Sequence, residues 1–453
     1  MSRMRPGGVR LTRGLLVLGG CGAVLLLATV VFNLGALFNG TGAAYSAGRP
    51  AVGQNALLRR GEQVFRFDTF GDRTFWGGAL QLHRAIAGAA NGGVGPGVSP
   101  KTALAVGLKV DANAIPAKLA AAIKGGKVDL GDPKTTLALL KLNAVVGVTG
   151  YFDKKGTLTS MGVTCALCHS TVDNSFAPGI GRRLDGWPNQ DLDVGKIISL
   201  APSLKPFTDL LGVDVATVKK VLLSWGPGKF DAELSMDGKA FQSDGRSAAT
   251  RIPPAIGLAG DNLATYTGWG SVTYWNAFVA NLEMHGHGTF FDPRLDDAAK
   301  FPVAAKARFG HVSESPDLIT SKLGPLHAYE LSLAAPTPPK GSFDPAAAAR
   351  GQKIFDGKGR CSGCHVPPLY TEPGYNLHKP SETCSDPFIA DRSPTGMYRT
   401  TPLRGMFAKS KRGFGADGRF PTLLAVVNHY DTCFTLGLTP QEKNDLVQFV
   451  KSR

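Results

Sequence analysis

The first long run of apolar positions lies at the N-terminus. Met1 to Arg13 carries four arginines and no acidic residue, and Gly14 to Phe32 then continues without a charge. The apolar character persists to Phe38, a length that suits a bilayer span, and the arginines would keep the N-terminus in the cytoplasm. Residues 1–38 are therefore predicted to be a signal peptide or an uncleaved membrane anchor, followed by a linker rich in Gly, Ala and Ser at 39–56.

The C-terminal region opens with a pattern typical of a short helix. Ala346 to Phe355 is rich in alanine, Asp344 is placed as its N-cap, and Pro345 occupies the first helical position. Ile354 and Phe355 give this helix an apolar side.

A second helix pattern closes the chain. Thr439 is placed as an N-cap, Pro440 follows at the first position, and Glu442 completes a capping box. The apolar face of this helix is formed by Leu446, Val447 and Val450. The two patterns predict that helices begin and end the C-terminal region.

Other helical patterns lie in the middle of the chain, and one linker follows them. The helical stretches are Pro116 to Lys124, Pro133 to Leu142, and Asp214 to Trp225 with Asp214 as its N-cap. The run Ala335-Pro-Thr-Pro-Pro-Lys-Gly is rich in proline. It predicts a domain boundary, with a linker at 335–345.

Two copies of the pattern Cys-x-x-Cys-His lie within this helical framework. We call Cys165 to His169 (Cys-Ala-Leu-Cys-His) the first motif and Cys361 to His365 (Cys-Ser-Gly-Cys-His) the second motif. Two thiols three residues apart on a tight turn can each form a thioether to one vinyl group of a haem, and the histidine that follows is then held under the iron as a ligand. The sequence therefore predicts two covalently bound haem c groups. The predicted haem-binding residues are Cys165, Cys168, His169, Cys361, Cys364 and His365.

The motifs and the helical patterns together predict the domain organisation. A helix, a motif, loops and a closing helix make up a small cytochrome c domain, predicted at 346–453. Arg60-Gly-Glu-Gln-Val-Phe65 echoes Arg350-Gly-Gln-Lys-Ile-Phe355, and coincidence over six positions is the alternative. We therefore predict a first haem domain at 57–334, in which Asp68 to Gly162 is a large insertion. The expected fold class is mainly α: two cytochrome c-like haem domains, the first with the insertion, behind an N-terminal signal or anchor helix.

The net charge of the chain limits the classes of binding partner that we expect. The chain has 453 residues and a formal net charge of +15. We expect no nucleic-acid partner, because the charge is scattered and no basic-aromatic module is present. We expect instead a basic surface that binds acidic redox partners or anionic lipid.

Three cysteines lie outside the two motifs. Cys21 belongs to the apolar N-terminal segment, while Cys384 and Cys433 form an even pair in the C-terminal region. An exported chain would join these two in a disulfide, and two buried free thiols are the alternative. A zinc site shared by the two motifs is not expected, because their separation far exceeds zinc-ribbon spacing and each motif ends in His.

Several other residues are candidates for redox chemistry. Glu283-Met-His285-Gly-His287 offers an acid, a thioether and two imidazoles, groups that either ligate iron or move protons beside it. Arg182 and Arg183 follow the first motif and are candidates to pair with haem propionates, with surface charge as the alternative.

In these motifs the sequence resembles the bacterial di-haem cytochrome c peroxidase superfamily. That superfamily includes the peroxidases, di-haem enzymes that oxidise protein tryptophans, and di-haem oxygenases. The resemblance rests on the two motifs, on Tyr398-Arg-Thr-Thr-Pro-Leu-Arg-Gly-Met-Phe407, and on Gly415 to Tyr430, and it is strongest over Arg350 to Arg453. One departure is Ala416, which stands where the family often has His.

The resemblance implies a second ligand for the C-terminal haem. In the family this ligand is the residue that closes the Gly415 to Tyr430 stretch, and the peroxidases have Met there. This sequence has Tyr430 with His429 beside it, which is similar to the tryptophan-oxidising members. Met406 and His378 are the alternatives.

The resemblance also implies a division of labour between the haems. The N-terminal haem on His169 would be the reactive one. Glu283 is the first candidate for its acid/base, with an exposed glutamate at a helix end as the alternative. Trp187 or Trp275 would relay charge between the haems. Candidates for a displaceable distal ligand of the N-terminal haem are His83, His285 and His287.

The two motifs and the family resemblance together predict a function. The chain would be an exported di-haem oxidoreductase that reduces hydrogen peroxide or another small oxidant at the N-terminal haem. A redox protein would donate the electrons, the C-terminal haem would pass them on, and calcium is implied by the resemblance alone. The expected location is the periplasm or the outer face of the cytoplasmic membrane of a bacterium. Two alternatives are a di-haem electron-transfer cytochrome without a substrate and a di-haem oxygenase acting on an organic substrate.

Overall fold

Residues 52–453 are described by the computed structural model. The predicted signal or anchor segment lies outside these residues, as does the predicted linker up to residue 51. Between residues 52 and 453, no helix is both long and apolar enough to cross a bilayer.

Helices dominate the described chain, as predicted. The helices up to residue 237 are α1 (Val52–Phe67), α2 (Leu82–Ala87), α3 (Pro100–Ala105), α4 (Ala117–Lys124), α5 (Pro133–Lys141), α6 (Ala166–His169), α7 (Val194–Ser199), α8 (Lys205–Leu211), α9 (Val215–Trp225) and α10 (Leu234–Asp237). Those that follow are α11 (Val272–Phe278), α12 (Pro302–Ala307), α13 (Thr320–Ser332), α14 (Pro345–Asp356), α15 (Phe388–Asp391), α16 (Leu423–Cys433) and α17 (Pro440–Lys451). Two π-helical turns lie at Thr74–Ala79 and Val279–Glu283.

The strands are short and pair two by two. They are β1 (Val110–Asp111), β2 (Val148–Phe152), β3 (Leu158–Val163), β4 (Ser170–Val172), β5 (Ile180–Gly181), β6 (Arg183–Asp185), β7 (Lys229–Phe230), β8 (Thr250–Arg251), β9 (Thr289–Phe291) and β10 (His311–Ser313). The pair β1–β5 is parallel, whereas β2–β3, β4–β6, β7–β8 and β9–β10 are antiparallel. The hairpin β2–β3 leads directly into the first motif.

Side-chain caps begin the predicted helices where the sequence placed them. Asp344 accepts hydrogen bonds from the backbone N–H groups of Ala346 and Ala347, at 2.8 and 3.1 Å. Thr439 and Glu442 form the predicted capping box. These contacts confirm the two helices of the C-terminal region, because each cap satisfies amide groups that have no partner inside the helix.

Helix α1 differs from the prediction, since it begins at Val52, inside the predicted linker. The echoed sequence Arg-Gly-x-x-x-Phe has a structural counterpart. A Cβ added to Gly61 of α1 would lie 2.0 Å from the carbonyl oxygen of Pro325 in α13. Likewise a Cβ on Gly351 of α14 would lie 2.0 Å from the carbonyl oxygen of Asp445 in α17. Each glycine thus lets an opening helix cross a later one at backbone contact.

Three apolar clusters fill the interior. The largest contains Phe65 and Tyr329 and extends through the predicted insertion. A second, rich in aromatic rings, includes Trp269 and Phe278. The third lies wholly within residues 355–450. Residues 54–453 nevertheless pack as one unit, so the boundary at 335–345 stays a prediction.

Candidate functional site

The first motif is held as a single helical turn. Its last backbone N–H, on His169, donates to the carbonyl oxygen of Cys165 at 3.1 Å, and α6 spans most of the motif. Gly147 has a φ of +78°, and a Cβ there would lie 2.2 Å from the Cα of Leu167. Glycine therefore lets the backbone just before β2 lie directly against the motif backbone.

His169 is fixed by a backbone carbonyl that lies far away in sequence. Its Nδ1 lies 3.0 Å from the carbonyl oxygen of Pro253. Since that oxygen can only accept, Nδ1 carries the proton and Nε2 presents a lone pair. Burial lowers the pKa of His169 to about 4, so the imidazole is neutral. A neutral imidazole with a free Nε2 is the form that ligates a metal.

The second motif repeats this geometry. The backbone N–H of His365 donates to the carbonyl oxygen of Cys361 at 2.8 Å, which closes the turn. Nδ1 of His365 lies 3.0 Å from the carbonyl oxygen of Tyr370, and burial lowers the pKa of the imidazole to about 4. Both motif histidines are therefore neutral imidazoles whose Nδ1 is fixed by a backbone carbonyl.

The four motif thiols are protonated and unpaired. Burial raises the pKa of Cys168 to about 12 and that of Cys361 to about 11. The pKa values of Cys165 and Cys364 are raised as well, again chiefly by burial. None of the four is in a disulfide.

The predicted disulfide between Cys384 and Cys433 is confirmed. Their Cα atoms are 5.9 Å apart, and the bond joins the end of α16 to the loop that precedes α15. It holds the α16 segment that carries His429 and Tyr430 against that loop. An exposed disulfide of this kind is typical of proteins in oxidising compartments.

Tyr430 and His429 lie at the second motif in different ways. Nε2 of His429 donates to the carbonyl oxygen of Thr383 at 3.1 Å, so this nitrogen is engaged. Burial raises the pKa of Tyr430, and the thiols of Cys361 and Cys364 raise it further, which places its phenol beside the motif. Of the two side chains, the phenol of Tyr430 interacts electrostatically with the motif thiols, whereas Nε2 of His429 is engaged by a backbone carbonyl.

Met406 and His378 are the other two candidates for the second ligand of the C-terminal haem, and they lie in different surroundings. Met406 is buried in the third apolar cluster. Nε2 of His378 lies 2.5 Å from a carboxylate oxygen of Glu372. These two groups and the Sγ of Cys364 lie within 4.8 Å of one another. His378 is therefore held by a carboxylate at the edge of the second motif.

Glu283 lies beside the first motif. Its carboxyl is buried and interacts electrostatically with the thiol of Cys168. A weak contact of 3.5 Å joins it to the hydroxyl of Ser235. Burial raises the pKa of Glu283 well above its ordinary value, and the nearby carboxylates of Glu233 and Asp231 raise it further. The raised pKa means that the folded protein favours the protonated form of the Glu283 carboxyl.

The three candidate distal histidines have separate surroundings. His285 stacks on Phe75 with ring centroids 3.6 Å apart, and burial lowers its pKa to about 4. His287 instead lies 2.9 Å from the hydroxyl of Thr74 and 3.0 Å from a carboxylate oxygen of Glu314.

His83 lies apart, on α2. Burial lowers its pKa, and its buried Nδ1 has no hydrogen-bond partner among the described residues.

The two tryptophans predicted to relay charge, Trp187 and Trp275, also lie in different parts of the structure. Trp187 follows Gly186, whose backbone N–H donates to the carbonyl oxygen of His169 at 2.7 Å, and its indole contacts Phe407 edge-on at 5.6 Å. It therefore bridges the first motif and the C-terminal region. Trp275 stacks on Trp269 at 5.0 Å within the second apolar cluster.

The two arginines after the first motif each lie beside an aspartate, but the buried Nε and Nη1 of Arg183 have no hydrogen-bond partner among the described residues. Arg182 is exposed and pairs with Asp173 at 2.8 Å. Arg183 is buried and lies 3.3 Å from a carboxylate oxygen of Asp111. Arg182 therefore fits the alternative of a surface charge, whereas Arg183 forms a buried ion pair.

Sequence reasoning missed a buried cluster of cations, formed by Arg251, Arg399, Arg404 and Lys409, which we call the cationic cluster. Lys409 is 7% exposed and Arg251 is 8% exposed, and Asp261 is the carboxylate that pairs with both Arg399 and Arg404. The Nε atoms of all three arginines are buried without a hydrogen-bond partner among the described residues. Burial lowers the pKa of Lys409 to about 7, and the neighbouring arginines lower it further.

The cationic cluster lies between the two motifs. Arg251 precedes, by two residues, the Pro253 whose carbonyl receives His169. It also donates to the carbonyl oxygen of Lys409, and the charge of Lys409 acts on His365. No local sequence pattern could find this cluster, because Arg251 and Lys409 are 158 residues apart.

Comparison with known proteins leaves the family open. No protein-family model matches the chain, and no curated protein sequence matches it. Among solved structures, hydrazine synthase from Kuenenia stuttgartiensis is similar with a TM-score of 0.27 and 17% identity, over 49% of this chain and 86% of that one. A MauG-like protein associated with microbial copper homeostasis is similar with a TM-score of 0.27 and 16% identity, over 48% of this chain and 76% of that one. Likenesses at this level do not assign the chain to a family.

Proposed function

We propose that this protein is a c-type cytochrome oxidoreductase that holds two haem groups covalently. The observation that carries the proposal is the repeated motif geometry. In each motif two protonated thiols stand one turn apart, and the histidine donates Nδ1–H to a carbonyl so that Nε2 can ligate iron. Cys165, Cys168 and His169 would hold one haem, and Cys361, Cys364 and His365 the other.

The cationic cluster supports the fit of haem at these sites. It holds four basic side chains, of which Arg251 and Lys409 are buried and Arg399 and Arg404 are partly exposed, beside the buried carboxylate of Asp261, and three of its nitrogen atoms are buried with no partner among the described residues. Buried charge of one sign is strongly unfavourable unless an opposite charge pairs with it. Haem carries two propionate groups, and arginines bind carboxylates with good geometry. A propionate in this position would also favour the charged form of Lys409.

When bound, haem iron supplies one-electron transfer and a site where a small oxidant can be activated. The chain would add a proton donor, because the carboxyl of Glu283 interacts electrostatically with the Cys168 thiol and burial raises its pKa well above the ordinary value. We propose that the reaction is the reduction of hydrogen peroxide at the N-terminal haem. It consumes two electrons and two protons and yields two waters. Glu283 would deliver a proton to the departing oxygen, and its raised pKa suits that task.

The positions of Tyr430 and Trp187 suggest a path for the electrons. An external redox protein would donate electrons at the C-terminal haem, with Tyr430 as the second iron ligand, because its phenol lies beside the second motif. Trp187 would relay charge, since it bridges the first motif and Phe407. The net charge of +15 favours an acidic donor protein.

The Cys384–Cys433 disulfide supports a location outside the cytoplasm. Together with the arginines that precede the apolar N-terminal segment, it leads us to propose export to the periplasm or the outer face of the cytoplasmic membrane.

Haem content tests the first part of the proposal. The denatured protein should keep its haem on a gel, and the pyridine haemochrome should count two haems per chain. Replacing Cys168 and Cys165 by Ala should remove one haem and leave the other. Extraction of all haem by acidic acetone would contradict covalent attachment.

Peroxide turnover with an external electron donor tests the second part. Glu283→Gln should retain both haems and lower turnover by about a hundredfold or more, the usual scale for losing a general acid. Glu330→Gln is the matched control, because Glu330 is also buried, has a raised pKa, and lies near the first motif through Cys165. Equal activity of the two variants would remove Glu283 from the mechanism. Inactivity of the unmodified protein, oxidised or half-reduced, would favour an electron carrier.

A further inference from the structure

A carboxylate that has no part in the proposed reaction lies beside the second motif. It belongs to Glu372, which follows by two residues the Tyr370 whose carbonyl oxygen fixes His365. A carboxylate oxygen of Glu372, a ring nitrogen of His378 and Sγ of Cys364 all lie within 4.8 Å of one another. The side chain of Glu372 is 12% exposed, so water and salt screen its charge from the motif only weakly.

Both oxygens of Glu372 are fixed by hydrogen bonds. Oε2 accepts from Nε2 of His378 and from Oγ1 of Thr400, each at 2.5 Å. Oε1 accepts from Nδ2 of Asn376 at 2.5 Å. Burial acts to raise the pKa of Glu372, but these three hydrogen bonds bring it below its ordinary value. The side chain is therefore an ionised carboxylate held in one orientation.

A second carboxylate extends this group. Nδ1 of His378 lies 3.3 Å from a carboxylate oxygen of Glu382, whose side chain is 53% exposed. Two carboxylates thus lie against one imidazole, so the three side chains together carry a net negative charge whether or not the ring is protonated. Burial raises the pKa of the Cys364 thiol, and the charges of Glu372 and Glu382 raise it further. The negative charge therefore acts on the second motif.

Two charges of opposite sign also act on His365. Burial is the main cause of its lowered pKa, the positive charge of Lys409 lowers that pKa further, and the negative charge of Glu372 raises it. Under the proposed function a haem propionate would pair with Lys409 and offset its charge. The charge of Glu372 would then dominate at this histidine.

We propose that Glu372, held in place by His378, Thr400 and Asn376, lowers the reduction potential of the haem on the second motif. Oxidised iron carries one more positive charge than reduced iron, so a fixed negative charge nearby stabilises the oxidised form. The haem that would pass electrons to the first motif is then the stronger reductant. The inference rests on the proposed function, because it requires haem at this motif.

Potentiometric titration of the intact two-haem protein tests the inference. Glu372→Gln removes the charge and keeps an oxygen that can accept from His378. It should shift the equilibrium of the second-motif haem towards the reduced form by about tenfold, which raises the potential of a one-electron couple by about 59 mV. The potential of the other haem should stay the same. The variant with Ala at Cys165 and Cys168, which keeps only the second-motif haem, assigns the two potentials.

Three further variants separate charge from structure. Glu372→Asp retains a carboxylate, so its potential should lie closer to that of the native protein than to that of Glu372→Gln. Glu382→Gln should raise the potential by less than Glu372→Gln, because solvent screens the more exposed Glu382. Asp209→Asn removes an exposed carboxylate on α8 and should leave both potentials unchanged.

The outcomes separate this inference from the proposed function. Two covalent haems with an unchanged potential in Glu372→Gln, or with an equal shift in Glu372→Asp, would overturn the role of Glu372 and leave the proposed function standing. If Glu372→Gln does not fold, Glu372→Ala takes its place, and an unchanged potential there is equally decisive. A native protein without covalent haem at the second motif would contradict the proposed function and this inference together.

Discussion

At the scale of single residues, a backbone carbonyl decides what each motif histidine can do. The oxygens of Pro253 and Tyr370 accept Nδ1–H of His169 and His365, so each ring is held in one tautomer. Burial keeps both rings neutral. The orientation of each ring is thus fixed by the fold, and under the proposed function this would reduce the entropy lost when Nε2 binds iron.

Glu330 gives a pH prediction at the same scale. Burial raises its pKa to about 7 in the folded protein, from about 4.5 in an exposed chain. The folded state therefore holds the proton more tightly, and the free energy of unfolding should fall as pH rises from 4.5 to 7. Glu330→Gln cannot lose a proton, and its amide oxygen can still accept from Asn276. Relative to the native protein, the variant should gain about 3 kcal/mol between pH 4 and pH 8 in urea unfolding.

The same substitution at exposed Glu314 is the control for the loss of one carboxylate. A pH dependence that is identical in the native protein and in Glu330→Gln would show that Glu330 does not titrate in this window.

At the scale of elements, two helix crossings depend on one glycine each. Gly61 brings α1 onto α13, and Gly351 brings α14 onto α17. Next to each glycine an aromatic pair adds contact, Phe65 with Tyr329 and Phe355 with Phe449. Arg350 forms two 2.8 Å hydrogen bonds to Asp445 across the second crossing. The two parts of the chain therefore share one packing device as well as one sequence echo.

Gly351→Ala should destabilise the protein, because the new Cβ would lie 2.0 Å from a backbone oxygen that cannot rotate away. We expect a loss of about 1 to 3 kcal/mol or more in the free energy of unfolding, measured by urea titration. Gly324→Ala in α13 is the matched control. Its Cβ would meet no atom within 4 Å, so the better helix propensity of alanine should stabilise the protein by up to about 1 kcal/mol. Equal effects of the two changes would show that backbone contact does not limit the crossing.

At the scale of the whole molecule, a buried ion network ties the C-terminal region to the chain before it. Arg392 bonds to Asp231 at 2.9 Å and to Asp237 at 2.8 Å, and all three side chains are fully buried. Burial raises the pKa of the Asp231 carboxyl, although the positive charge of Arg392 acts to lower it. The two predicted haem domains are thus joined through their interiors as well as through the Pro-rich linker.

Arg392→Met should destabilise the whole molecule strongly. Removing one partner of a buried pair leaves uncompensated carboxylates, and a loss of about 3 to 5 kcal/mol is expected. Thermal and urea unfolding will measure it. Lys205→Met is the control, since Lys205 pairs with Asp209 on the exposed face of α8 and should change stability by less than about 1 kcal/mol. Similar losses in the two variants would contradict the role given to burial.

Much of the local structure was predictable from sequence. The caps at Asp344 and Thr439 and the proline that follows each define a helix start through contacts within a few residues. The strands were not predicted. The hairpin of β2 and β3 brackets an Asp-Lys-Lys-Gly turn at 153–156 that gives a local signal, whereas two-residue strands such as β1 depend on a partner far along the chain.

The sequence by itself determined the two motifs, the helix ends and the apolar faces, because these follow from spacing along one stretch of chain. Only the tertiary structure decided which groups meet the motifs. Glu283 reaches Cys168, Pro253 receives His169, and Arg251 joins Lys409. Such contacts close long loops, and their energies come from burial and from charges that distant segments bring together. For that reason the cationic cluster could be recognised only in the folded chain.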